Sequence, residues 1–357
     1  MKKRIIRAVA ALLCVCMMST GFTSASSDRI VVRVDPKLGR HVGTVRIFMT
    51  RAELRTVQLM ERQASTVLVP DGFPAGLAAR WFIEPSARDS TTLAISRDAL
   101  VKLQALFENV GLVRTTRTNI VIGRTQRFIN ESLDAIGCKP NLARTGGIHL
   151  MGSSLCDRGA IVINLTGYFF LHSIGDKLTD AMESWSEPGL DTLDYRIVAR
   201  NISGLAHEWA HVARTSATGG LVPTDEPAWL REGFAEVMAG VALVRLLGDR
   251  FTYTDFHVTR LRTFTDWGSV CREPLSAYQK DSKYLAGCEY YVGPLAVEYL
   301  IARMGGLLKF VALFHTASRL GNFARAFRIT YGMSIGAFER KFDSYVRPIA
   351  LLPQIGR

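Results

Sequence analysis

His207-Glu208-Trp209-Ala210-His211, followed by Pro227-Ala228-Trp229-Leu230-Arg231-Glu232-Gly233-Phe234-Ala235-Glu236, decides how this chain is read. Ile197, Val198, Ile202, Leu205, Trp209, Val212 and Ala213 recur at helical spacing around the first phrase. On a helix, residues i and i+4 leave from nearly the same face. His207 and His211 can therefore hold one cation together. Glu208 leaves the helix about 100° away from His207, placed to act on an attacking water instead of the metal. A catalytic zinc site takes three protein ligands and keeps one position open. Glu232, with 20 residues between it and His211, completes that set. Glu236 follows one turn later on the same face. It is the candidate to accept the second ring N–H of a ligating histidine. The plain alternative is a pair of amphipathic helices carrying surface histidines and solvated glutamates. The second phrase weighs against that, because its Glu232 supplies the third ligand such a site needs.

Together the two phrases resemble the gluzincin metallopeptidases, the thermolysin-like and aminopeptidase-like clan. That pattern is His-Glu-x-x-His on one helix and a ligand glutamate on the next, often within Trp-Leu-x-Glu-Gly-x-Ala, as Trp229 to Ala235 reads here. The match is strong from Arg200 to Gly240 and weaker from Tyr290 to Gly305. Metzincins are set aside, because their glycine and third histidine would fall at Arg214 and Ala217. The Gly-x-Met-x-Asn phrase of the aminopeptidase branch does not occur, so the resemblance implies an endopeptidase. It further implies one Zn²⁺ per chain, held by His207, His211 and Glu232, with Glu208 as general base and acid. It also implies that a downstream tyrosine or histidine stabilises the oxyanion. Tyr284, Tyr290, Tyr291 and His257 are available, and Tyr290 matches the pattern best.

The N-terminus reads as an export signal over residues 1–25. Lys2, Lys3, Arg4 and Arg7 precede an apolar run of 11 residues, Ala8 to Met18, and Thr23-Ser24-Ala25 offers a cleavage site. The run is short against the roughly 20 residues a membrane span needs. Beyond the signal stand Cys138, Cys156, Cys271 and Cys288. In an oxidising compartment an even number implies disulfides. Of three pairings, the local one (Cys138–Cys156 with Cys271–Cys288) is expected. The formal charge is +12, with basic residues scattered along the chain. A basic surface suits acidic substrates or anionic cell-envelope material. No basic run interleaved with aromatics occurs, so nucleic acid is not an expected partner. Nothing in the sequence sets the oligomeric state.

The expected fold class is α+β. A mixed N-terminal region with a β-sheet, residues 26–137, precedes a mostly helical zinc-binding domain, residues 138–357. Strands are expected at Ile30 to Val34, Thr44 to Met49, Thr91 to Ile95 and Asn119 to Ile122, and helices at Arg51 to Ala64, Arg97 to Asn109 and Thr125 to Ile136. Gly159 to Leu165 is the clearest strand and is expected at the sheet edge. The zinc helices should lie within 194–245 and a helical C-terminal subdomain within 280–346. The expected function is an exported, periplasmic or secreted zinc metallopeptidase acting on protein or peptide. Two alternatives stay open. One is a catalytically silent relative that binds protein or envelope material. The other is a zinc amide hydrolase acting on peptidoglycan.

Overall fold

Thr50 starts the first helix by a local exchange. Its hydroxyl accepts from the Glu53 amide at 3.0 Å, and the Glu53 carboxylate accepts from the Thr50 amide at 3.3 Å. Helix α1 (Arg51–Thr66) then buries Glu53, Thr56, Val57, Met60 and Ala64, a single helical stripe. It follows a hairpin-like antiparallel pair, β1 (Arg29–Val34) and β2 (Val45–Thr50). The computed structural model describes residues 29–34, 45–68, 79–88, 91–112, 118–137, 150–153, 160–164, 195–217, 225–248, 251–258, 271, 273–280, 288–350 and 352.

A second sheet holds β3 (Ala79–Ile83), β4 (Thr118–Gly123), β5 (Leu150–Ser153) and β6 (Ala160–Asn164), in the order β3-β4-β6-β5. The first three neighbours run parallel and β5 pairs antiparallel to β6. Between the strands lie α2 (Thr91–Asn109) and α3 (Gln126–Ala135). Alternation divides the sheet's apolar residues between two layers. Ile120, Ile122, Ile161 and Ile163 face the main core, while Val121, Ala160 and Val162 pack with Ile129 and Leu133 of α3.

The strand expected at 159–165 is present, but it is not the sheet edge. It lies between β4 and β5, and the edges of the described sheet are β3 and β5. The reason is visible in its side chains. Ala160, Ile161, Val162 and Ile163 are all buried, so both faces are covered, as an internal strand requires. The strand expected at Thr91 to Ile95 is also corrected. Those residues begin α2, whose buried Leu93, Ser96, Leu100, Leu103 and Phe107 follow a 3.6-residue period. The β-branched start of the segment imitates a strand. The strand actually in that region is β3, which the sequence reading missed.

The remaining α-helices of the described residues are α4 (Tyr195–Ala217), α5 (Ala228–Leu247), the short α6 (Tyr253–Phe256), α7 (Glu289–Met304), α8 (Gly306–Leu320), α9 (Phe323–Tyr331) and α10 (Ile335–Ala350). The α+β class with a helical C-terminal part is thus observed. From Ala228 to Val244 every residue of α5 except Arg231 is buried. A helix buried all round is the centre of its domain. It packs against α4 on one side and α7 on the other. Helix α1 joins the same core, and its Glu61 carboxylate accepts from the Tyr253 and Thr254 amides at 2.5 and 3.3 Å. Cys271 and Cys288 form a disulfide, as expected. Cys138, Cys156 and the N-terminal 25 residues lie outside the described residues. No described helix is long and apolar enough to cross a membrane.

Candidate metal centre

Two carboxylates inside α5 demand an explanation. Glu232 and Glu236 are 4% and 3% exposed. A buried carboxylate costs several kcal/mol unless partners offset its desolvation. The partners come from α4, whose apolar face (Leu205, Ala206, Trp209, Ala210, Val212, Ala213) turns inward beside α5. This packing carries His207 and His211 to Glu232. His207 Nε2 lies 3.1 Å from His211 Nε2 and 3.5 Å from Glu232 Oε2, and His211 Nε2 lies 3.1 Å from the same oxygen.

Bonds of about 2.0–2.1 Å around a tetrahedral centre place ligand atoms about 3.3 Å apart. The three observed separations fit that triangle. Glu232 Oε2 is fully buried and makes no hydrogen bond among the described residues. One cation inside the triangle satisfies this oxygen and both ring nitrogens at once. His207, His211 and Glu232 therefore form a group able to hold a metal ion.

The electrostatics favour positive charge at this point. Burial alone lowers the His207 pKa, but Glu232 and Glu236, then Glu208, outweigh it and raise the value to about 10. Burial raises that of Glu232, yet His211 and His207 pull it well below the ordinary carboxylate range. Whether the positive charge is a proton or a metal ion, the pocket stabilises it.

Of the remaining expected residues, Glu236 and Tyr290 border this triangle. Glu236 Oε1 lies 3.2 Å from His207 Nδ1, the place from which a carboxylate orients a ligating imidazole. Glu208 is half-buried and contributes no atom to the triangle. Its charge nonetheless reaches both His207 and Tyr290. Tyr290, in the first turn of α7, stacks on His207 with ring centroids 6.0 Å apart. It is 43% exposed, so it forms part of the open side of the site. Tyr291, the next residue, is partly buried against the main core, and His257, a further downstream candidate, is elsewhere. It is fully buried between Glu53 and Glu298 at 3.0 and 2.9 Å. Tyr284 lies outside the described residues.

Three contacts support the site, of which only the disulfide was anticipated from sequence. The buried pair Arg214–Glu226 ties the end of α4 to the segment entering α5, which joins the two helices that carry the triangle. Arg231 Nε donates to Glu232 Oε1 at 2.8 Å. The Cys271–Cys288 disulfide anchors the residue that precedes α7, two positions before Tyr290. Of the other two, only Arg231 carried a readable signal, its position directly before Glu232. Compared with known proteins, the chain matches no family model, no curated protein and no solved structure.

Proposed function

We infer that the protein is an exported zinc-dependent peptidase of gluzincin type, with protein or peptide as substrate. The observation that carries this reading is the convergence of His207 Nε2, His211 Nε2 and Glu232 Oε2 within 3.5 Å, with the Glu208 charge acting on His207. Two imidazoles and one carboxylate are a donor set suited to zinc. Zinc bound there would supply Lewis acidity, activating water and polarising the scissile carbonyl.

The chain's own residues do the rest. Glu208, outside the ligand triangle, accepts the proton of the attacking water and delivers it to the leaving amine. Glu236 holds His207 with its Nε2 lone pair turned toward the centre. Tyr290 donates a hydrogen bond to the oxygen that becomes negative as the tetrahedral carbon forms. Burial, followed by the charges of Glu232 and Glu208, raises the Tyr290 pKa, which keeps the hydroxyl protonated and able to donate. Export is supported by the N-terminal signal pattern and by the Cys271–Cys288 disulfide.

The test is cleavage profiling of the full chain on a peptide library beside purified peptidoglycan, with Glu208→Gln as control. Peptide cleavage that the control lacks supports the reading. Cleavage of peptidoglycan alone moves the substrate to an envelope amide. No turnover on either, with zinc bound, supports a silent binding protein.

A further inference from the structure

Within the stretch Ala228 to Val244, only Arg231 escapes burial, and it does not point away from the site. Residues i and i+1 of a helix do not face one another. The Arg231 side chain nevertheless folds back onto Glu232, with Nε 2.8 Å from Oε1. The two oxygens of one carboxylate are thereby divided. Oε1 accepts a charge-assisted hydrogen bond, and Oε2 faces the two histidines at 3.1 and 3.5 Å. The Arg231 side chain is 26% exposed and that of Glu232 6%, so the carboxylate is buried beneath a partly exposed partner.

We propose that Arg231 is a positioning residue that holds Oε1 of Glu232 out of the metal centre, so that the carboxylate ligates through Oε2 alone. This rests on the zinc reading above. A carboxylate can ligate through one oxygen or two. Two-oxygen ligation would add a fifth donor beside the water that hydrolysis needs, crowding that position and lowering the Lewis acidity the metal would supply. An N–H aimed at Oε1 orients that oxygen's lone pair toward the guanidinium and favours the one-oxygen mode. Arginine suits the task because its donors are rigidly planar and its charge is permanent.

The experiment loads the full chain with cobalt(II) in place of zinc and records the visible absorption of wild type, Arg231→Met and Arg231→Lys. Zinc affinity and thermal unfolding are measured alongside. Wild type is expected to show the intense band of a four-coordinate site. Arg231→Met should lose about half or more of that intensity as Glu232 swings to two-oxygen ligation and the site becomes five-coordinate. Arg231→Lys keeps a cationic donor but not the planar fork, and should fall between the two. A purely electrostatic role predicts something different. Removing a cation beside the metal would tighten zinc binding and leave the cobalt band unchanged, and that result overturns the proposal. If Arg231→Met does not fold, Arg231→Lys decides: a weakened band supports the proposal and a wild-type band overturns it. Wild type that binds neither zinc nor cobalt would remove the zinc reading itself, and this inference with it.

Discussion

Gly233 and Gly293 bring the backbones of α5 and α7 into direct contact. A Cβ on Gly233 would stand 2.4 Å from the Gly293 carbonyl oxygen, and one on Gly293 would stand 2.3 Å from the Trp229 carbonyl oxygen. The obstacle is backbone in both cases, so no rotamer change relieves it. This contact sits beside Glu232 and one turn after Tyr290, and so sets how closely Tyr290 approaches the ligand triangle. Gly233→Ala should push the helices apart and destabilise the fold by about 1–3 kcal/mol. Urea denaturation of wild type and variant measures this, and equal midpoints would contradict the account.

The cluster around His257 makes a pH prediction. Burial alone lowers the His257 pKa, but Glu298 and then Glu53 outweigh it and raise the value from 6.5 to about 9. A raised folded-state value means that the protonated form is bound more tightly in the folded protein. The stability it contributes is present in full below the unfolded value and is lost as pH rises through about 9. Glu53 belongs to α1 and Glu298 to α7, so what weakens is the attachment of the first helix. Urea midpoints from about pH 6.5 to about pH 10 should fall for wild type and stay flatter for His257→Gln. Parallel curves would reject this role.

The Cys271–Cys288 disulfide should matter for both stability and presentation of Tyr290. It links residues 17 apart in sequence. Closing a loop of that size is worth about 3 kcal/mol in the chain-entropy model. Changing both cysteines to serine should cost about that much and lower turnover, while zinc content stays near wild type. A double variant with wild-type stability and turnover would show the bridge to be dispensable.

Glu208 and Glu232 should separate cleanly. Glu208→Gln should bind zinc as wild type does and lose at least about 10²–10⁴ in rate, since it removes the proton acceptor and donor. Glu232→Gln should weaken zinc binding instead. Zinc content and kcat for the two variants, measured side by side, decide the matter. Loss of zinc in Glu208→Gln would assign it to the ligand set.

Much of the candidate site was legible because helix periodicity is local. Spacing alone puts His207 and His211 on one face of their helix, and Glu232 and Glu236 on one face of theirs. What joins distant segments was not legible. Glu53 and His257 are 204 positions apart, and no local pattern announces their meeting. The strand 160–164 was readable as a strand from its apolar run. Its place inside the sheet depends on β5, a short Leu-Met-Gly-Ser segment with no strand periodicity to detect. Helix α2 was read as a strand at its start because β-branched residues open it, and tertiary packing overrode that preference. The glycine contact was hidden for a related reason. Gly233 and Gly293 are each unremarkable alone, and only the crossing of α5 and α7 gives them a function.

Metal stoichiometry tests the central claim most directly. Elemental analysis of the purified full chain, beside His211→Ala, should find about one zinc per wild-type chain and much less in the variant. The three donor atoms surround a single point, so loss of one opens the triangle. Stoichiometric zinc retained in His211→Ala, or a wild-type chain that takes up none, would contradict the account.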